Sequence, residues 1–84
     1  MLEKNGVIKD LVKQPVFELQ EHFRHKGKMI RAITYKADFS YYEGNKHIVE
    51  DVKSVATEKD KVYRMKRKMF LYKYRNEIEF REYI

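Results

Sequence analysis

The sequence predicts an α+β domain, in which a small mixed β-sheet of about four strands carries one long helix. Three observations predict this fold. Across residues 33–41, apolar and polar residues alternate with the period of two that is typical of a half-buried strand. Gly44 and Asn45 then mark a tight turn into a second strand. A helical pattern ending at Tyr74 is followed by a last alternating segment, residues 77–84, so the helix should cross over between two parallel strands.

Composition predicts a single basic domain, residues 1–84. A chain of 84 residues has room for one hydrophobic core. Lys and Arg outnumber Asp and Glu by 19 to 13, and this excess favours polyanionic partners, either nucleic acid or an anionic membrane surface. The absence of cysteine excludes disulfides and thiolate metal sites, and no apolar run is long enough to span a bilayer. We therefore expect a soluble cytoplasmic protein.

The start of the chain predicts a helix end and a connection. Residues 1–6 resemble the last turn of a helix, because Asn5 and Gly6 suit a left-handed C-cap. Residues 7–12 then supply apolar surface through a short connection. Since proline cannot donate to a ladder, the next strand should begin at Pro15 or lie at an edge.

A β-hairpin is predicted after Pro15. Residues 16–24 alternate, and a three-residue loop at residues 25–27 would place Gly27 in the left-handed conformation. A two-residue loop is rejected because it would set apolar against polar faces. The favoured register forms three apolar pairs, Phe17–Tyr35, Leu19–Ile33 and Phe23–Met29.

The helix is predicted to begin at a capping box formed by Thr57 and Asp60. Its apolar residues form two adjacent stripes, which we expect to face the core. The first stripe contains Val62, Met65, Met69 and Tyr72, and the second contains Tyr63, Phe70 and Tyr74. Cations on the opposite face would be solvated, whereas Lys66 projects between the stripes and either snorkels or points toward the polar face of the hairpin.

The turn centred between Gly44 and Asn45 brings charged residues together. It sets Tyr42 opposite His47, Asp38 opposite Asp51, and Lys36 opposite Lys53. Two carboxylates about 5 Å apart repel by roughly 3 kcal/mol at an effective dielectric near 20. One interpretation is a solvated salt-bridge lattice, which contributes little to stability. The other is a divalent-cation site, in which the ion removes the repulsion and lysine serves chemistry at a phosphate.

Two further polar residues fall near these acids. The register of the first hairpin, extended past Pro15, brings Gln14 alongside Asp38, so that Gln14, Asp38 and Asp51 would form a row across three strands. Glu18 falls on the same face as Asp38 in that register. Both are candidates for supporting roles around the acids.

The same residues carry a resemblance to a known family. Ala37-Asp38-Phe39, followed by a turn and Val49-Glu50-Asp51-Val52-Lys53, resembles the core signature of the PD-(D/E)xK nuclease superfamily, with alanine in place of proline. The run of residues 31–39, the Val-Glu-Asp-Val-Lys segment and the Lys-rich helix are also similar to a family of small phage-encoded proteins. Those proteins are assigned to that superfamily and associated with DNA processing and junction resolution.

The resemblance implies a metal-dependent DNA endonuclease with a restriction-endonuclease-like core. Asp38, Asp51 and Lys53 would be its catalytic residues. Mg²⁺ or Mn²⁺ would be held by Asp38, Asp51 and the carbonyl of Val52, since Mg²⁺ accepts one or two carboxylates with waters and phosphate oxygens. The residues that would contact DNA are cationic, namely Lys36, Lys66, Arg64, Arg67 and Lys68. Such a protein would act in the cytoplasm of a bacterial host, encoded by a phage or prophage.

The chain also departs from the relatives it resembles, which are longer. Their preceding helix contributes a further acidic residue, whereas here the chain starts near the end of that helix. Glu18 is a poor substitute for that residue. The uncovered apolar surface favours a homodimer. A non-catalytic nucleic-acid-binding or partner-binding remnant of the fold is therefore the alternative function.

Overall fold

The computed structural model describes residues 8–84. Its strands and helices are, in chain order, β1 (Lys9–Lys13), β2 (Val16–Gln20), β3 (Phe23–His25), β4 (Lys28–Ile30), β5 (Ile33–Lys36), β6 (Phe39–Glu43), β7 (Lys46–Val52), α1 (Val55–Lys59), α2 (Lys61–Tyr74) and β8 (Glu79–Tyr83). A four-stranded sheet has the order β1-β6-β7-β8, and β2–β5 and β3–β4 form two-stranded ribbons. The fold is therefore a small mixed α+β domain, as predicted.

The hairpin of β6 and β7 is the centre of the sheet. Glu43 pairs with Lys46 across a two-residue turn in which Gly44 has a φ of 62°. Glycine adopts this left-handed conformation without steric cost, which explains why the turn falls here. Tyr42 pairs with His47, as the sequence predicted, and their rings stack at 4.5 Å.

The single strand predicted over residues 33–41 is wrong. It is divided at Ala37 and Asp38 into β5 and β6, which belong to different sheets. The break coincides with Pro15, which cannot donate to a ladder. Ala37 N–H donates to the Pro15 carbonyl at 3.1 Å, and Gln14, at a φ of 53°, donates its N–H to the Asp38 carbonyl at 2.8 Å. Gln14 thus lies alongside Asp38 as predicted, at a kink in the ribbon.

The kink decides which residues are buried on each face of the sheet. Tyr35 and Tyr41, predicted on one face, lie in different hydrophobic clusters. The larger cluster packs under α2 and contains Tyr35, Ala37, Val49, Tyr63 and Phe70. The smaller cluster contains Ile8, Tyr41 and Ile48.

The N-terminal region differs from the prediction in one respect. Residues 9–13, predicted as part of a connection, form the edge strand β1, which is antiparallel to β6. The backbone hydrogen bonds supplied by β6 outweigh the weak apolar alternation of this segment. The helix end predicted at residues 1–6 lies outside the described residues.

The first hairpin closes with the two-residue turn that the sequence argument rejected. Lys26 and Gly27 form it, with φ values of 50° and 76°. The Phe17–Tyr35 pair is confirmed, but a bulge between Glu18 and Gln20 shifts the register by one residue. The other two predicted pairs are therefore wrong. Gln20 pairs with Ile33, and Phe23 pairs with Ile30.

The helical region begins earlier than predicted and is divided in two. Ser54 caps α1 by accepting the Thr57 N–H at 3.1 Å, so Thr57 is not an N-cap. Asp60, in extended conformation, ends α1 and caps α2 by accepting the Tyr63 N–H at 2.9 Å. Serine and aspartate both supply the side-chain oxygen that such a cap needs.

Only one of the two predicted apolar stripes faces the core. Phe70 is 1% exposed, and its ring lies 4.9 to 5.5 Å from the rings of Phe17, Tyr35, Tyr74 and Phe80. In the other stripe, Val62, Met65 and Tyr72 are exposed, which contradicts their prediction as core residues. The second stripe alone covers the sheet.

The crossover from β7 through the helices to β8 joins parallel strands, as predicted, and the structure places them side by side in the sheet. In their register Asp51 pairs with Glu82. No helix in residues 8–84 is long and apolar enough to cross a membrane.

Candidate active site

Asp51 lies near the end of β7, in the interior of the sheet. Because β6 and β8 flank this strand and α2 covers the face on which Asp51 lies, its side chain has no solvent exposure. The Tyr35 hydroxyl donates a hydrogen bond to its Oδ2 atom. The other oxygen, Oδ1, lies 3.0 Å from the Lys53 Nζ atom, but no residue among 8–84 gives it a hydrogen bond of correct geometry.

Burial raises the pKa of the Asp51 carboxyl above its ordinary value. Removal from water disfavours the charged form, and this effect outweighs the stabilisation of the carboxylate by Tyr35 and Lys53. The negative charge of Asp38 raises the pKa further. The charged form of Asp51 is thus disfavoured by its surroundings, and a further cation bound beside it would stabilise that charge.

Asp38 is held beside Asp51 by backbone contacts. Its N–H donates to the Glu50 carbonyl at 3.1 Å, and its Oδ2 accepts the N–H of Val52 at 2.7 Å. The β6–β7 ladder ends at the Phe39–Glu50 pair, one residue short of the predicted Asp38–Asp51 pair. The two acids therefore meet at the point where the ladder ends.

The oxygen donors here match the chemistry of a hard divalent cation. Asp51 offers its buried Oδ1, which lies beside the Lys53 ammonium and accepts no hydrogen bond from residues 8–84. Asp38 offers a second, partly exposed carboxylate, whose Oδ2 accepts the Val52 N–H. With the carbonyl of Val52 they would make the small oxygen set that Mg²⁺ completes with water. No group of three or more His, Cys, Asp or Glu residues within 8–84 is arranged to hold a metal.

Lys53 is anchored on β8 and folded over the helix. Its N–H donates to the Tyr83 carbonyl at 2.8 Å, and its Nζ atom lies 5.6 Å from the centre of the Tyr63 ring. The side chain keeps 20% of its surface exposed. Lys36 is not its ladder partner, as the predicted register required, because the kink pairs Lys36 with Val16 instead.

A polar network behind Asp51 was missed by the sequence analysis. The Tyr63 hydroxyl donates to the Glu82 carboxylate, which also accepts from Arg67 at 2.7 Å. Burial raises the pKa values of Tyr35 and Tyr63, so both remain protonated hydrogen-bond donors at neutral pH. The predicted crossover made β7 and β8 parallel, but it specified neither that they are neighbours nor the register that pairs Asp51 with Glu82.

The predicted DNA-contacting cations have different environments. Arg67 is held by Glu82, and Arg64 lies 3.1 Å from Glu58, so both have intramolecular partners. Lys68 is exposed, and no ion pair involves it within the described part of the chain.

Lys36 and Lys66 are brought together although they are distant in sequence. They line a cleft of about 370 Å³ with Tyr35 and Tyr63, the two tyrosines beside Asp51. Lys66 thus lines a cleft shared by α2 and β5. The Asp60 carboxylate lines the same cleft, so the border of the buried site carries two cations and one acid.

The two supporting candidates are not equivalent. Gln14 lines a cleft of about 390 Å³ with Asp38, Lys13 and Phe39, so it borders the site. Glu18 lies four residues further along, roughly 13 Å away at the rise of a strand. Its carbonyl accepts hydrogen bonds from Lys73 and Tyr74 of α2. Glu18 is thus not brought to the two aspartates.

These features define a class of protein: a small α+β domain with a buried Asp-x-Lys at the end of an interior strand and a second aspartate beside it. The chain belongs to the family described as "Protein of unknown function (DUF1064)", whose model matches residues 1–81. No curated protein and no solved structure matches the chain.

Proposed function

We propose that the protein is a metal-dependent DNA endonuclease of the PD-(D/E)xK type, using Mg²⁺ or Mn²⁺. One observation carries the proposal. Asp51 has a buried, incompletely bonded carboxylate 3.0 Å from the Lys53 ammonium, and Asp38 is attached to the same strand end through the Val52 amide. Two acids and a lysine at one point are the groups that phosphodiester hydrolysis needs.

Each residue has a role that follows from its contacts. Asp38, Asp51 and the Val52 carbonyl would hold the ion, which when bound lowers the pKa of water and neutralises phosphate charge. Tyr35 orients the Asp51 carboxylate by donating to Oδ2. Lys53 stabilises negative charge that develops on the phosphate, and its partial exposure gives the ammonium a path from Asp51 toward the substrate.

DNA is the substrate that the charge distribution favours. Lys36 and Lys66 border the cleft next to the Asp51 site, and Lys68, on the same helix as Lys66, is exposed and forms no ion pair with residues 8–84. The net charge of +6 attracts polyanions over the whole surface. Phosphates would therefore bind along this cleft.

The test is DNA cleavage by purified protein with Mg²⁺ or Mn²⁺, on duplex, branched and single-stranded DNA. Asp51→Asn and Lys53→Ala should each abolish cleavage. Matched controls are Glu77→Gln and Lys59→Ala, which remove a carboxylate and an ammonium at exposed positions outside the site. Both controls should cleave at the wild-type rate. Wild-type protein that is inactive on all three substrates, or cleavage that survives in Asp51→Asn, would contradict the proposal.

Non-catalytic DNA binding is a second candidate, favoured by the closed state of the site. Asp51 has no exposure, and both of its oxygens face protein groups, Tyr35 and Lys53. This function predicts salt-sensitive DNA binding that is unchanged by Asp51→Asn, with no cleavage by the wild type. The cleavage and binding assays together distinguish the two.

A further inference from the structure

The β3–β4 hairpin is an exposed arm whose two strands pair with each other and with no other strand of residues 8–84. All twelve residues from 20 to 31 are exposed, including Phe23, Met29 and Ile30. Within residues 8–84, none of the arm's charged side chains makes a hydrogen bond or an ion pair. Hydrophobic side chains on an isolated two-stranded ribbon gain little from folding, so their position calls for a partner.

The arm carries a concentrated positive charge. It contains four cations, Arg24, Lys26, Lys28 and Arg31, and a single carboxylate, Glu21. Twelve of the 84 residues thus hold three of the six net positive charges. Because none of these cations has a partner among residues 8–84, each can contact a phosphate.

The two faces of the arm differ. Phe23 and Ile30 pair directly on one face, where His25 and Lys28 also pair. Arg24 and Met29 pair on the other face. A two-stranded ribbon fits the major groove of B-DNA, which is about 12 Å wide. Cations on both faces could then contact the phosphates that border the groove.

The position of the arm relative to the candidate active site suits a DNA duplex. Eleven residues separate the Gly27 turn from Asp38, a distance of at most about 36 Å at 3.3 Å per residue. One turn of B-DNA is about 34 Å long. The domain is elongated, with extents of 52 × 27 × 21 Å, so such a separation fits within it.

We infer that the β3–β4 arm binds duplex DNA in a groove, no more than about one helical turn from the Asp38 and Asp51 site. That the same duplex also contacts the Asp38 and Asp51 site rests on the proposed nuclease function, whereas the binding of the arm to DNA does not. Removal of the arm's cations should therefore weaken binding whether or not the protein cleaves.

The test measures binding of a fluorescent duplex by anisotropy at several salt concentrations, without divalent metal. The arm variant is Arg24→Gln with Lys28→Gln, and the control is Lys9→Gln with Lys46→Gln. The control pair removes the same charge beside the Gly44 turn. The chain runs from the arm through β5 and β6 to this turn, so the two control lysines lie at the far end of those strands from the arm. Loss of two phosphate contacts should reduce the slope of log K against log salt by about 1.8, which corresponds to roughly 60-fold weaker binding at 0.1 M salt. The control should change affinity less than about threefold, because charges beyond the Debye length of about 10 Å are screened.

Equal losses in the two variants, or no salt-dependent binding by the wild type, would overturn the inference. Equal affinity for an acidic polypeptide such as polyglutamate would also overturn it, since the groove would then have no role. A second measurement does not depend on variants: titration of wild-type protein with duplex should shift the NMR amide signals of residues 23–30, and unshifted signals would contradict binding by the arm. Cleavage is not read in either experiment, so a failure of the nuclease proposal would be seen separately.

Discussion

Replacement of Asp51 by asparagine should stabilise the protein at neutral pH while it abolishes cleavage. The side chain is fully buried, and burial makes the charged carboxyl less favourable in the folded chain than in water. Asparagine keeps the shape and an oxygen that can accept the Tyr35 hydroxyl, but it removes the buried charge. A site kept for catalysis commonly lowers stability in this way.

The expected gain is small but measurable. The raised pKa is the net result of burial and of the ion pair with Lys53, and each pH unit by which the pKa is raised corresponds to about 1.4 kcal/mol at neutral pH. A gain of about 1 kcal/mol raises the melting temperature of a domain of this size by roughly 4–8 °C. Asp51→Ala should instead destabilise by about 1–3 kcal/mol, since it leaves the buried Tyr35 hydroxyl without its acceptor.

The sign of the pH dependence follows from the raised pKa of Asp51. A carboxyl group whose pKa is higher in the folded than in the unfolded chain binds its proton more tightly when folded. The free energy of unfolding of the wild type should therefore fall as pH rises from the ordinary value of 3.8 through the raised pKa. Asparagine does not titrate. The difference in free energy of unfolding between Asp51→Asn and the wild type should therefore grow over this pH range and stay constant above it.

Urea denaturation of the wild type and both variants, from pH 3 upward, would measure these differences. At neutral pH, Asp51→Asn should have the highest free energy of unfolding, the wild type an intermediate value and Asp51→Ala the lowest. In acid, the values for Asp51→Asn and the wild type should converge. A wild type more stable than Asp51→Asn at neutral pH, or a difference that does not depend on pH, would refute it.

Two further variants test the packing and the cleft. Phe70→Ala, which removes the ring in contact with four others, should cost about 3–5 kcal/mol, measured by urea denaturation; a cost below 1 kcal/mol would show that α2 does not pack as described. Lys36→Gln with Lys66→Gln should leave the melting temperature unchanged but reduce the salt slope of DNA binding by about 1.8, and an unchanged slope would exclude the cleft as a phosphate site.

The turn at Gly44 and Asn45 shows what local sequence could predict. A two-residue turn fixes the register of its strands, so the Tyr42–His47 pair and the approach of Asp38 to the end of β7 followed directly. The parallel crossover to β8 followed from the length of the helical segment.

The remaining features depend on interactions that local patterns do not encode. The alternation over residues 33–41 gave no sign of a break, because the kink is caused by Pro15 on the neighbouring strand. The bulge at Glu18 let a two-residue turn coexist with the Phe17–Tyr35 pair, a combination that a regular register excludes. Glu82 was missed as a neighbour of Asp51 because a parallel register is set by tertiary packing alone.

Titration with Mn²⁺, followed by NMR, tests the divalent-cation site most directly. Paramagnetic broadening of the amide signals of Asp38 and Val52 should occur before that of signals elsewhere, and it should disappear in Asp51→Asn. The Glu77→Gln control should broaden like the wild type. Broadening that is uniform over the protein, or that persists in Asp51→Asn, would contradict a metal site formed by the two aspartates.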